Sequence, residues 1–203
     1  VLRGRAAPAL LESFEAERIP FARRLVATTD RMFTLATSPG LVARILRTQL
    51  LPRAMALATA SPTVRRFMFR TLSQTALHYR ASPISEGKAG GIHAGDRMPW
   101  VPFGGADNFA PLAALDWQLH LHGTAPAALA EAASARGLVL HAFPWSPAAA
   151  AAGLAKDALY LVRPDGYVGL ADQTADPARL GAYLVRLGIK PRNATGTTFD
   201  SPA

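Results

Sequence analysis

Between residues 117 and 187 the chain alternates between two hydrophobic periods, and this alternation restricts its fold more than any other feature. Residues 117–122 read as a strand, 126–136 as an Ala-rich helix stopped by Gly137, and 138–145 as a second strand. Ser146-Pro147 can open a short helix running to Lys156. Residues 158–163 and 167–171 read as two more strands around Pro164-Asp165-Gly166, a turn in which Pro presets φ and Gly takes a positive one. Residues 177–187 form the closing helix, stopped by Gly188. A strand–helix–strand unit followed by a strand–strand–helix unit buries its apolar faces by laying helices against one sheet, so the predicted class is α/β.

That order, βαβ then ββα, is the layout of a thioredoxin-like domain, predicted over residues 116–190 and followed by a tail at 191–203. A redox protein of this type needs a Cys pair at the first helix N-terminus, where the helix lowers the thiol pKa. Gly123-Thr124-Ala125-Pro126 stands there instead, and none of the 203 residues is Cys. Disulfides, thiolate catalysis, thiolate zinc sites and dithiol exchange are excluded together. The domain is therefore read as a structural or docking unit, and a cytoplasmic location is compatible with the missing Cys.

The upstream segment, residues 1–77, reads as helical. Leu10, Leu11, Phe14, Ile19, Ala22, Leu25, Val26, Met32 and Phe33 recur at three- and four-residue steps. Pro20 predicts a kink, or two helices meeting near Ile19. A second helix starts at Leu41 and is bent or ended by Pro52; a third opens at Ser61-Pro62 with Val64, Phe67, Met68 and Leu72 as its buried stripe. The formal net charge of +8 sits entirely upstream: residues 1–90 hold 14 Lys and Arg against five Asp and Glu, whereas residues 91–203 hold eight against nine. The Arg residues are spread singly or in pairs among apolar ones, as on solvated faces of amphipathic helices, and no aromatic interleaving points to nucleic acid. No apolar run is long enough to span a membrane, and the first residues lack the pattern of a signal peptide. Because the chain begins at Val1 without an initiator Met, it is expected to be a piece of something longer.

Residues 78–115 carry turn signals throughout and are expected to form a long irregular connection. Their Gly-rich stretch, Gly87 to Gly95, matches neither phosphate-binding pattern and reads as a flexible turn segment. Candidate chemistry elsewhere is sparse. His120 and His122 point to one face of their strand and His141 on the next strand could approach them, but two strand histidines without a fixed carboxylate read as partly exposed polar positions rather than metal ligands. His78 and His93 suggest nothing specific. Glu12, Glu15, Glu17 and Arg18 read as solvated helix charges, and no nucleophile elbow is present. No catalytic, cofactor-binding or metal-ligating residue is assigned.

Four segments carry a resemblance. Leu10-Leu11-Glu12-Ser13-Phe14-Glu15-Ala16-Glu17-Arg18-Ile19-Pro20 resembles the helix that closes the flavin domain of FAD-dependent aromatic hydroxylases, the phenol and polyketide hydroxylase type of class A flavin monooxygenase. Tyr79-Arg80-Ala81-Ser82-Pro83-Ile84-Ser85, Ala94-Gly95-Asp96-Arg97-Met98-Pro99 and Leu161-Val162-Arg163-Pro164-Asp165-Gly166-Tyr167-Val168 are similar to three later motifs of that family, in the same order. The family ends in a Cys-less thioredoxin-like domain. The resemblance implies the C-terminal part of an enzyme that uses FAD, reduced by NAD(P)H, to hydroxylate an aromatic ring. The family's dinucleotide fingerprint and second flavin-contacting Gly-Asp would lie before Val1, and Gly95-Asp96 is not that motif. This chain alone is thus expected to bind no flavin and to be inactive. Its implied partner is the N-terminal flavin domain of the same polypeptide; a homodimer is compatible, and neither nucleic acid nor membrane is expected. The alternative is a stand-alone thioredoxin-like interaction or dimerisation module without catalytic activity. Isolated from a flavin domain, the first helix would leave Leu11, Phe14 or Leu25 exposed and favour self-association.

Overall fold

A computed structural model describes residues 6–73 and 77–190, and divides the chain into two compact units. One comprises residues 15–77; the other joins the N-terminal stretch up to Phe14 with everything from His78 on. The expected tail at 191–203 lies outside the described residues.

The helical unit contains most of α1 (Glu12–Thr37), then α2 (Leu41–Ile45), α3 (Leu51–Ala60) and α4 (Pro62–Leu72). α1 runs through Pro20 as one helix. Pro52 does not end its helix either: a π turn at Leu46–Leu50 precedes it, and α3 continues beyond. A proline ring crowds the carbonyl four residues back and donates no hydrogen bond, and the widened turn in front of it makes room. The Arg53 guanidinium bonds the Gln49 carbonyl at 2.9 Å. Two further arginines close helix ends in the same way. Arg47 reaches the Leu35 and Ser38 carbonyls at 3.3 and 3.1 Å, and Arg65 those of Thr59 and Ala60 at 2.9 and 3.0 Å. These arginines therefore do structural work beyond solvating a face.

The expected buried stripes are not buried. Leu25, Val26, Met32, Phe33, Leu41, Val42, Leu57, Phe67 and Phe69 are all more than half exposed, as are Leu11 and Phe14 in the other unit. Val64 and Met68 are half-buried, and the Leu72 side chain lies outside the described residues. Glu17, expected to be solvated, is buried.

The second unit is built on a six-stranded sheet in the order β2-β1-β8-β7-β5-β6. β5 (Gln118–His122) and β6 (Val139–Phe143) are parallel and joined through α5 (Ala127–Ala135); α6 (Pro147–Ala151) leads to β7 (Leu159–Val162), which pairs antiparallel with both β5 and β8 (Val168–Asp172). α7 (Pro177–Arg186) closes the unit, its first turn capped by the Asp176 carboxylate accepting from the Ala178 N–H. This is the βαβ then ββα order expected from the pattern. One sheet face packs Leu119, Leu121, Leu159, Leu161 and Leu170 against Leu129 of α5 and Leu180, Tyr183 and Leu184 of α7. The other packs Tyr160, Val162 and Val168 against Ala149 of α6, Leu154, Met98 and Val101.

Residues 78–115, expected to be irregular, instead contribute four short strands. β1 (Glu86–Ala89) joins the main sheet parallel to β8 and antiparallel to β2 (Ile92–His93), while β3 (Pro102–Phe103) and β4 (Ala106–Asp107) form a separate hairpin. α7 tethers β1: the Tyr183 hydroxyl donates to the Ile84 carbonyl at 2.6 Å, and Arg186 and Arg179 reach Glu86 at 2.8 and 3.4 Å. Tertiary contacts, which leave no local hydrophobic signature, make this segment a strand.

Candidate functional site

The position of a redox pair in a thioredoxin-type layout is the turn between β5 and α5. Gly123 has φ of 133°, and a Cβ there would collide with the Asp157 carboxylate. That carboxylate accepts from the Thr124 N–H at 2.7 Å, and the Asp157 N–H donates to the His122 carbonyl at 3.0 Å. Asp157 thus clasps the turn to the end of β5, and Thr124 is exposed. The turn is a closed structural joint.

Behind it lies an imidazole and phenyl cluster. His120 and His122 alternate with Leu119 and Leu121 along β5 and so share a face, and the parallel register sets His120 opposite His141. Both strand histidines are fully buried, not partly exposed as their spacing suggested. Phe143 is the hub. Its ring centroid lies 5.0 Å from those of His120 and His122, 6.1 Å from that of His141 and 5.4 Å from that of Phe103. Gln118 ties the cluster to the segment preceding β5: its Oε1 faces His120 Nε2 at 3.3 Å and its amide donates to the Pro111 carbonyl at 2.6 Å. His120 Nδ1 lacks a hydrogen-bond partner, and neither His122 nitrogen makes a well-formed hydrogen bond, the Pro144 carbonyl approaching only loosely. Burial, with His141 and His122 nearby, pushes the His120 pKa down to about 3. Burial lowers His122 to about 4, partly offset by the Pro144 carbonyl, and burial also lowers His141. These rings are neutral at physiological pH. Among the described residues no three His, Cys, Asp or Glu side chains are grouped to hold a metal ion. His78 is exposed, and His93 sits 3.8 Å from Asp96.

Three of the four motif segments, far apart in sequence, form one knot. The Tyr79 N–H donates to the Gly95 carbonyl at 2.7 Å, the Gly95 N–H to the Val168 carbonyl at 2.7 Å, and the Met98 N–H to the Gly166 carbonyl at 2.9 Å. The Arg80 guanidinium grips the Asp96 carboxylate through two bonds of 2.6 and 2.9 Å. The Tyr79 and Tyr167 rings lie 4.6 Å apart, and Arg163 pairs with Asp165 across the hairpin turn at 2.8 Å. Gly95 has φ of 87°, and a Cβ there would strike the backbone of Tyr79 and Arg80. The Gly-rich stretch is likewise spent on closure. The Gly90 N–H goes to the Gln173 side chain, Gly91 to the Gly153 carbonyl and Ala94 to the Gly87 carbonyl. A phosphate cradle needs such N–H groups free and convergent.

No family model matches the chain. It is 31% identical to the 6-methylpretetramide 4-monooxygenase of Streptomyces rimosus over 233 aligned positions, covering 99% of this chain and 40% of that protein. Its backbone matches that of OxyS, the anhydrotetracycline hydroxylase of Streptomyces rimosus, with a TM-score of 0.62 and 25% identity, over 94% of this chain and 38% of OxyS. The chain resembles the C-terminal part of a FAD-dependent aromatic hydroxylase. BexE, a protein studied for oxidation during BE-7585A biosynthesis, matches equally well, with a TM-score of 0.62 and 27% identity over 94% of this chain and 37% of BexE. The chain thus spans about 40% of the length of the curated hydroxylase relative it matches. Within this chain the knot joins the Tyr79 turn, the Asp96 loop and the Arg163–Tyr167 hairpin.

Proposed function

We propose that this chain is the C-terminal portion of a FAD-dependent monooxygenase that hydroxylates an aromatic substrate, and that its share of the work is structural. The observation that carries this reading is the knot: three hydroxylase-like motifs converge, and their polar groups bind one another. The Gly-rich stretch offers no phosphate cradle for a flavin, since the Gly90, Gly91 and Ala94 N–H groups are already committed within the fold. FAD, reduced by NAD(P)H, would supply the oxygen-transfer chemistry in the complete enzyme, on residues outside this chain. Here Asp96 and Arg80 hold the Tyr79 turn, and α7 fixes β1. The helical unit offers the exposed apolar faces of α1 to α4 to the N-terminal flavin domain, its proposed partner in the same polypeptide. Among the described residues no helix is long and apolar enough to cross a membrane.

The reading is tested in the coding sequence upstream of Val1. The frame is expected to continue into a Gly-x-Gly-x-x-Gly strand–turn–helix. An in-frame stop immediately before Val1 would sink the proposal for this gene product.

A further inference from the structure

α5 and α7 pack on the same sheet face and end in the same way. Each stops at a glycine in the left-handed region, Gly137 with φ of 69° and Gly188 with φ of 59°. The Leu138 and Gly137 N–H groups cap the Ala133 and Ser134 carbonyls, and the Ile189 and Gly188 N–H groups cap those of Leu184 and Val185. Between the two helix ends opens a pocket of about 420 Å³, within the size range of small-molecule sites. Its floor is apolar: Leu184 and Ile189 are buried, and Val185, 80% exposed, stands on the rim.

Arg136 and Lys190 line the same pocket, and no acidic side chain does. Arg136 is held in place. Its Nη1 donates to the Ala132 carbonyl at 3.0 Å, and its Nη2 lies only 2.7 Å from where a Cβ on Gly181 would stand. Gly181 sits inside α7, where glycine is less stable than alanine, and the space it leaves is taken by a guanidinium rather than by apolar packing. Neither Arg136 nor Lys190 enters an ion pair among the described residues.

We propose that this pocket binds an amphipathic carboxylate, a small acid with an apolar body. The carboxylate pairs with the Arg136 guanidinium, whose planar fork matches its two oxygens, and with the Lys190 ammonium as a second point charge. The apolar body lies on Leu184, Val185 and Ile189. A helix C-terminus repels anions, and the glycine caps reduce that repulsion by engaging carbonyls of the last turns. A bare inorganic anion gains nothing from the apolar floor, and a neutral chain gains nothing from the two cations, so both parts of the ligand are needed. The site lies wholly in the sheet unit and stands whether or not the hydroxylase reading does.

Decanoate is the probe. Equilibrium dialysis against the full chain is expected to show one saturable site, with decanol and inorganic phosphate held at least about tenfold more weakly. Arg136→Gln and, separately, Val185→Asp are each expected to weaken decanoate binding at least about tenfold. Arg66→Gln, at an exposed position on α4, is the control for adsorption to the basic helical unit and is expected to leave the affinity unchanged. Unchanged affinity in Arg136→Gln or Val185→Asp, decanol bound as tightly as decanoate, or an equal loss in Arg66→Gln would overturn the proposal. If Arg136→Gln does not fold, Lys190→Gln at an exposed position takes its place: a weakened affinity is expected, and an unchanged one is the contradicting result.

Discussion

His120 and His122 are buried imidazoles with ring nitrogens that lack close hydrogen-bond partners, and the cost of burying them depends on pH. Unfolded, each ring takes up a proton near pH 6.5; folded, they resist protonation down to about 3 and about 4. Below about pH 6.5 the unfolded chain therefore binds more protons, so stability is full above that pH and falls as pH drops towards the folded values. For His120 the loss is about 2 kcal/mol by about pH 5, and His122 adds to it in the same direction. Urea midpoints measured from about pH 7.5 down to about pH 5 should fall steadily, and His122→Phe should flatten the fall. A midpoint that does not move would contradict the burial of these rings. Gly95 sets a second residue-scale expectation. Its positive φ and the nearby backbone of Tyr79 and Arg80 leave no room for a methyl group, so Gly95→Ala should cost about 2–4 kcal/mol in urea unfolding. A loss under about 0.5 kcal/mol would mean that the knot is loose.

At the scale of elements, the two units are stabilised by different means. The sheet unit has two packed faces, whereas no apolar side chain described in residues 15–73 is fully buried. Helices without a buried face depend on propensity and caps, which give marginal stability in water. Amides of α1, α3 and α4 should accordingly exchange with deuterium at least about tenfold faster than those of β5, β7 and β8. Equal protection, read peptide by peptide by mass spectrometry, would show a hidden core. Within the sheet unit, Asp176→Ala removes the α7 cap and should cost about 1 kcal/mol in thermal unfolding. Legibility in the sequence followed the same division. Strands β5 to β8 and helices α5 to α7 were readable because their apolar periods record the core they build. β1 was not, because Glu86, Gly87, Lys88 and Ala89 carry no such period and are held by Tyr183, Arg179 and Arg186 from about a hundred residues away. The helices were readable but their burial was not, since amphipathic spacing says which face seeks a partner and not whether the partner is present. The histidines showed the reverse case: their shared face was legible from the two-residue spacing, while the aromatic cover over them comes from Phe143 on another strand, itself packed on Phe103.

The whole molecule combines a well-packed sheet unit, bound together by three hydroxylase-like motifs, with a basic helical unit whose apolar faces are open. Open apolar faces suit a contact with another domain, as the proposed function requires, and the chain covers 40% of the monooxygenase to which it is similar. The central claim is that this part frames the enzyme without holding its flavin. It is tested most directly by titrating the purified chain with FAD and following the flavin absorbance retained after dialysis. The account predicts that none stays with the protein; retention of one FAD per chain would contradict it.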